Sequence, residues 1–327
     1  MPLLVRFLGT SASRPTVERG VASVVVEREG ETLLFDCGEG TQRQMMRYGV
    51  SFALNDIFFS HFHADHFLGL PGLLRTMALQ GRTDPFHAWG PAGATRILKH
   101  AASLGAERPT FPLHVHELEP GTVVKRGDYS VVAVSAVHRG PTALTYGIVE
   151  DERRGRFNPE RARELGIPEG PLWGRIHRGE NVKLGDDRVI DAATLVGPTR
   201  HGRRIVITGD TRPCEATVDI ARGADLLVHE ATFAEEEAER ARETGHSTAR
   251  EAADVAARAG VRRLVLTHLS ARYTRDTTDL EREARAVFPA TIIARDGMEI
   301  DVPFVDETDS ASTAAGPSAE RDAAAKL

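Results

Sequence analysis

Along this chain, short apolar runs alternate with stretches in which apolar residues recur every three or four positions. The runs at 3–8, 22–27, 32–36, 56–60, 86–89, 130–137, 204–208, 225–229, 263–267 and 291–294 are rich in Val, Ile, Leu and Phe and bounded by Gly, Asp or Arg, which predicts buried or half-buried β-strands. The helical spacing predicts helices over 41–47, 68–80, 93–104, 213–221, 234–243, 249–259 and 280–287. Thr248 followed by Glu251 supplies a capping box for the helix that begins at 249. Strands and helices interleave, so the expected class is α/β, with helices covering sheets.

Two segments break this rhythm. Residues 306–327 hold no aromatic side chain and consist mainly of Ala, Ser, Thr, Asp and Glu, too little apolar surface to offset the entropy of ordering, so a disordered tail is expected. Residues 151–188 are rich in Arg, Gly and Pro. Between Arg153 and Lys183 there are eight Arg or Lys against four Glu, a local charge of +4 on a chain whose net charge is -6. An insertion of that length in a compact domain is functional or disordered. The expected organisation is one catalytic domain over 1–305, an inserted basic arm at about 151–188, and the tail at 306–327.

Composition narrows the classes. At 327 residues, 41% hydrophobic and 27% charged, the chain has the make-up of an ordinary globular protein with a full core. No apolar stretch approaches the roughly 20 residues needed to span a bilayer. Cys37 and Cys214 are far apart and form no disulfide framework, which suits a reducing cytoplasm. The acidic balance offers no global case for a nucleic-acid partner, so any such case is local.

The densest chemistry is His61-Phe62-His63-Ala64-Asp65-His66, three imidazoles and one carboxylate directly after the apolar run 56–60. A helix separates neighbours by about 100° and a strand alternates faces, so a loop leaving a buried strand is the expected carrier. Imidazole nitrogen and carboxylate oxygen suit zinc and other borderline divalent metals. His138, Asp210 and His268 each follow a predicted strand, at the same end as the motif. Any one alone reads as a cap or surface residue; together they make a candidate ligand set without thiolate.

This pattern resembles the metallo-β-lactamase fold superfamily. The resemblance implies a four-layer αβ/βα sandwich with two metals at the rim between the sheets: His61, His63 and His138 on one, Asp65, His66 and His268 on the other, Asp210 bridging. Two zinc ions per subunit are implied, and such N/O donors also accept manganese. The fold alone does not fix the reaction. A small-molecule hydrolase and an RNA-binding protein with a structural metal are the competing readings.

Further residues select among them. Phe7-Leu8-Gly9-Thr10, Phe35-Asp36-Cys37-Gly38-Glu39-Gly40-Thr41-Gln42, Gly209-Asp210-Thr211-Arg212, His229-Glu230-Ala231-Thr232 and His246-Ser247-Thr248 resemble the ribonuclease Z family, short form, up to about Pro303. The resemblance implies a zinc-dependent endoribonuclease that removes the 3′ trailer of precursor tRNA by cleaving after the discriminator base, leaving a 3′ hydroxyl on the tRNA and a 5′ phosphate on the trailer. It makes the basic insertion an RNA-binding arm, with Arg153, Arg154, Arg156, Arg175, Arg178 and Lys183 as candidate contacts, and implies a cytoplasmic homodimer acting on neither DNA nor membrane. The helix at 41–47 and its flanks are the candidate interface. One departure is local: where the family often reads P-x-K-x-R-N, this chain reads Pro15-Thr16-Val17-Glu18-Arg19-Gly20.

Catalytic roles follow from phosphodiester chemistry. The departing ribose 3′ oxygen needs a proton, and a histidine held by a carboxylate stays protonated near neutral pH. His246 supported by Glu230 is the candidate general acid; Asp65 is the candidate to orient or deprotonate the nucleophile. His229 is expected to be structural. Arg272 is a candidate phosphate contact, and Gly9, Thr10 and Ser11 are candidate donors at the rim.

Overall fold

Strands in which every residue is apolar need two faces to bury, and a sandwich of sheets covered by helices supplies both. The computed structural model describes residues 2–105, 108–140, 142–304 and 321–322. These form two compact units, one of 2–149, 203–303 and 321–322, the other of 150–202 with Phe304.

In the larger unit the elements run β1 (Leu3–Gly9), β2 (Ser23–Arg28), β3 (Glu31–Phe35), α1 (Thr41–Arg47), β4 (Asp56–Phe58), α2 (Ala64–Phe67), α3 (Leu70–Leu79), β5 (Phe86–Gly90), α4 (Ala94–Ala102), β6 (Leu113–Glu117), β7 (Val123–Lys125), β8 (Tyr129–Ala136) and β9 (Ala143–Glu150). The smaller unit then supplies α5 (Pro159–Glu164), α6 (Pro171–His177), β10 (Val182–Lys183) and β11 (Val189–Ile190). The larger unit resumes with β12 (Arg204–Ile207), α7 (Glu215–Ile220), β13 (Leu226–Glu230), α8 (Ala238–Thr244), α9 (Ala249–Ala259), β14 (Leu264–Thr267), α10 (Thr278–Val287), β15 (Thr291–Ile293), β16 (Met298–Asp301) and β17 (Arg321–Asp322). One sheet has the order β17-β16-β1-β2-β3-β4-β5-β6, the other β15-β14-β13-β12-β9-β8-β7.

Alternation along single strands assigns the layers. In β12, Ile205 and Ile207 join the core between the sheets, while Val206 joins the layer beneath α7, α9 and α10. In β2, Val24 and Val26 face inward and Val25 packs with the residues of α1, α3 and α4. The result is the expected four-layer αβ/βα sandwich. Phe58 holds its centre, stacked on Phe35 at 5.3 Å and Trp89 at 5.8 Å, with Tyr146 edge-on at 5.5 Å.

Several elements depart from the sequence expectation. β6, β7, β9, β10, β11, β16 and β17 fall outside the expected strands. The helix expected over 68–80 is shorter, and the one over 234–243 opens with a 3-10 turn, Glu235–Glu237. The smaller unit takes in the whole insertion expected at 151–188 and continues to Gly202. It is ordered around its own core of Ala162, Ile167, Ile176, Val182, Ile190 and Leu195. The tail expected over 306–327 lies outside the described residues, except that Arg321–Asp322 pair with Met298 and Glu299.

Candidate metal centre

Strand ends from both sheets converge on one point. β4 runs through Phe59 and Ser60 into His61. His63 is the N-cap of α2, the single helical turn that carries Asp65 and His66. The motif is therefore only half loop, contrary to the sequence expectation. His66 N–H donates to the His63 carbonyl at 3.0 Å, and this closes the turn and swings Asp65 and His66 to the side of the other imidazoles. The turn is anchored from β3, where Cys37 N–H donates to the His66 carbonyl at 2.7 Å. Gly38 permits that approach: a Cβ there would lie 2.3 Å from the Asp65 carbonyl oxygen. His138 follows β8, Asp210 follows β12, and His268 follows β14 in a left-handed conformation with φ 55.

Donor atoms fall into two groups joined by Asp210, with a third, overlapping set of Asp210, His246 and His268. His61, His63, His138 and Asp210 bring donor atoms within 4.8 Å of one another, as do Asp65, His66 and His268. Asp210 Oδ2 lies 3.5 Å from His61 Nε2 and 3.8 Å from His138 Nε2, while its Oδ1 lies 3.3 Å from His66 Nε2 and 3.2 Å from His268 Nε2. His63 Nδ1 is 3.1 Å from His138 Nε2, and Asp65 Oδ2 is 3.3 Å from His268 Nε2.

Outer partners determine which nitrogen each ring presents. His66 Nδ1 donates to Asp36 Oδ2 at 2.8 Å, and His138 Nδ1 donates to the Gly245 carbonyl at 2.8 Å. Ser60 Oγ donates to Asp36 Oδ2, so it accepts from His61 Nδ1 at 3.1 Å. Thr232 Oγ1 donates to Glu230 Oε2, so it accepts from His268 Nδ1 at 3.0 Å. All four rings thus turn Nε2 inward, the nitrogen from which each can bind a metal.

Burial, then the neighbouring His66, holds the His61 pKa well below the ordinary imidazole value. His66 differs: burial opposes its charge, but Asp210 and Asp36 outweigh that and hold its pKa well above the ordinary value, so a metal must displace its Nε2 proton. Burial alone would raise Asp210, but His268, His66 and His61 outweigh it and keep the carboxylate ionised. His61 Nε2 and Asp210 Oδ1 are buried without a hydrogen-bond partner, a costly state that coordination would relieve. The donor set fits a divalent metal ion.

Beside this cluster sits an ion pair. His246 Nδ1 is 2.9 Å from Glu230 Oε1. Burial opposes charge on His246, yet the Glu230 charge and hydrogen bond, with Asp210, overcome it and raise the pKa to about 9. Glu230 is buried and also accepts from Thr211 N at 3.1 Å and Thr232 N at 3.0 Å.

Other expected residues lie elsewhere in the bonding pattern. Thr10 N and Ser11 N both donate to the Gly20 carbonyl and Thr10 Oγ1 donates to Asp296, so the donor at the cluster is Ser13 N, 2.6 Å from Asp65 Oδ2. Arg272, the candidate phosphate contact, pairs with Glu237 and lies over the Phe233 ring at 5.7 Å. His229 is fully buried and donates from Nδ1 to the Glu230 carbonyl at 2.7 Å. In the smaller unit, Arg175 and Arg178 share Glu180, Lys183 pairs with Asp187, and Arg154 donates to the His177 carbonyl at 3.4 Å. Arg153 Nε donates to the His201 carbonyl at 3.3 Å, and the Arg156 carbonyl accepts from Gly197 N. Sequence reasoning missed Asp36, Ser60, Thr232 and Ser13. Of these, Asp36 and Thr232 stand inside motifs already singled out, but nothing in spacing says that they orient histidines.

The chain is similar to known proteins over nearly its whole length. A family model described as a beta-lactamase superfamily domain matches residues 31–158 and 181–269. Ribonuclease Z of Gemmatimonas aurantiaca is 67% identical over 308 residues, covering 94% of this chain and 98% of the relative. Ribonuclease Z of Myxococcus xanthus is 52% identical over 305 residues, covering 93% of this chain and 99% of the relative. The crystal structure of human tRNase Z, short form, matches with a TM-score of 0.66 at 30% identity, covering 92% of this chain and 100% of the human one. Similarity that runs through nearly the full length on both sides leaves one assignment: the chain belongs to the ribonuclease Z family, within the beta-lactamase superfamily.

Proposed function

We propose that this protein is a metal-dependent endoribonuclease that cleaves precursor tRNA after the discriminator base, leaving a 3′ hydroxyl on the tRNA and a 5′ phosphate on the trailer. The observation that carries the reading is the pairing of two donor groups around Asp210 with an adjacent protonated His246–Glu230 pair. The substrate class comes from relatives named Ribonuclease Z.

In this reading His61, His63 and His138 would hold one zinc ion and Asp65, His66 and His268 a second, with Asp210 available to both groups; manganese would suit the same donors. Such ions polarise a phosphoryl oxygen and lower the pKa of the attacking water to near neutrality. Asp65, steadied by the Ser13 amide, orients that water and accepts its proton. As the bond from phosphorus to the ribose 3′ oxygen breaks, His246 delivers a proton to that oxygen. Its Nδ1 is held by Glu230, so Nε2 carries the transferred proton. Glu230 keeps the imidazole charged and aimed.

The smaller unit, with Arg153, Arg154, Arg156, Arg175, Arg178 and Lys183, serves as the arm that grips tRNA by phosphate and A-form shape rather than base sequence. The protein works in the cytoplasm as a homodimer, each arm serving the tRNA at the partner's centre, with α1 and its flanks at the interface. Among the described residues no helix is long and apolar enough to cross a membrane. The test is incubation of a 3′-extended precursor tRNA with zinc-loaded protein, mapping the cut to the nucleotide. One cut after the discriminator is expected. Turnover of small phosphodiesters with no tRNA cut would replace this reading with a small-molecule hydrolase.

A further inference from the structure

An arginine next to a bridging aspartate in a nuclease invites the reading of a phosphate clamp. Arg212 is bonded otherwise. Its guanidinium is a fork with both tines engaged: one amino group donates to the His246 carbonyl at 3.3 Å, the other to Glu251 Oε1 at 3.0 Å. Only 22% of the side chain is exposed. Glu251 is itself doubly used, since its Oε2 accepts from Thr248 N at 2.9 Å in the capping box that starts α9. The fork therefore ties the backbone of His246 to the first turn of α9.

The neighbouring backbone tightens the same bracket. Ser247 Oγ donates to the Thr211 carbonyl at 2.6 Å. Arg212 N donates to the Val137 carbonyl at 2.7 Å, one residue before His138. Thr211 N donates to Glu230 Oε1, the oxygen that also holds His246. His246 lies in a short connection between α8 and α9; its N–H donates to the Ala241 carbonyl of α8 at 2.8 Å, and its carbonyl is held by Arg212. Without such a bracket its imidazole would be aimed from one side only, by Glu230 and Thr232 at Nδ1 and the α8 cap at the backbone N–H.

We propose that Arg212, acting with Glu251, is a positioning residue for the general acid: it fixes the main chain of His246 so that Nε2 meets the departing ribose oxygen, and it does not bind RNA phosphate. The proposal rests on the general-acid reading of His246. A planar fork does this and a lysine cannot, because an ammonium is a point charge without the paired geometry.

The experiment is steady-state cleavage of a precursor tRNA by the full-length, zinc-loaded enzyme carrying Arg212→Lys, alone and combined with His246→Ala, at several salt concentrations. The expected result is a kcat lower by about ten- to a hundredfold, as small misplacements of a reacting group produce. KM and its salt dependence stay unchanged, and no further loss appears in the His246→Ala background. In a parallel Arg212→Gln variant, which removes the charge that lysine keeps, a raised KM with a salt slope smaller by about one would mark a lost phosphate contact and overturn the proposal. Full activity of Arg212→Lys, or additive loss with His246→Ala, would overturn it as well. Should Arg212→Lys unfold or lose metal, Glu251→Gln, which can keep one accepting oxygen for the capping box but sets an amide NH2 against Arg212, must give the same kcat-only loss. If His246→Ala cleaves normally, the general-acid reading fails at its source; if only the Arg212 and Glu251 variants do, that reading stands and the bracket falls.

Discussion

Asp36 acts through two atoms. One carboxylate oxygen accepts from Ser60 N at 2.7 Å, and the other accepts from both Ser60 Oγ and His66 Nδ1 at 2.8 Å. It thereby fixes the tautomers of His66 and, through Ser60, of His61. Removing such a partner typically costs ten- to a hundredfold in metal affinity. Asp36→Asn is expected to weaken zinc binding by about that factor, measured by competition with a chelator; unchanged affinity would separate Asp36 from the metal. His246 offers a pH test. The protonated ring is the donor, so activity is lost as pH rises through its pKa, which Glu230 has raised to about 9. Glu230→Gln removes the charge that raises it, so the alkaline limb of the kcat profile should move to lower pH. The stability sign agrees: a raised histidine pKa stabilises most below the ordinary imidazole value, and that contribution fades as pH passes about 9. A limb that stays in place would remove His246 from the proton transfer.

At the scale of elements, α9 shows how local signals and tertiary demands combine. Thr248 Oγ1 accepts from Glu251 N at 3.1 Å and Glu251 Oε2 accepts from Thr248 N at 2.9 Å, the box its sequence announces. Gly260 at φ 62 ends the helix in the left-handed conformation that glycine adopts without strain. Thr248→Ala should destabilise the fold by about 1 kcal/mol, read from urea unfolding. β9 shows the opposite case. Gly147 interrupts its apolar run and hides the strand from pattern reading, yet a Cβ there would sit 2.9 Å from Ile220 Cγ1 in α7. The helix packed on the sheet demands the glycine, and the sequence around it carries no trace of that helix.

For the whole molecule, the arm is separable. Val149 and Arg204 are partners in the β9–β12 ladder, so the chain leaves and re-enters the larger unit at neighbouring strands. Replacing 151–202 with a short Gly/Ser linker should leave that unit folded and still hydrolysing a small phosphodiester, while tRNA cleavage collapses. Equal loss of both activities would reject an arm confined to substrate binding. The electrostatic basis of that arm is narrower than the +4 between Arg153 and Lys183 suggests. Over 150–202 ten Arg or Lys meet ten Asp or Glu, a net charge of zero. Many of the cations are already paired within the unit, so any grip on RNA comes from where cations cluster, not from net charge. A steep salt dependence of KM that the deletion abolishes would identify those clusters as phosphate contacts.

The sequence by itself determined the class of fold, most strands and helices, and the candidate ligands, because these are written in local periods and in residue chemistry that survives without neighbours. His61, His63, Asp65, His66, His138, Asp210 and His268 could be named since ligand-type side chains recur at strand ends. Only the tertiary structure decided what those groups do to one another. That Asp210 turns one oxygen to each donor group, that Asp36 and Thr232 set tautomers, that Ser13 rather than Thr10 reaches Asp65, and that Arg212 braces His246 are facts of distance between residues far apart in the chain. Strands such as β6, β7 and β16 were hidden for the same reason: their pairing partners, not their own composition, hold them in the sheets.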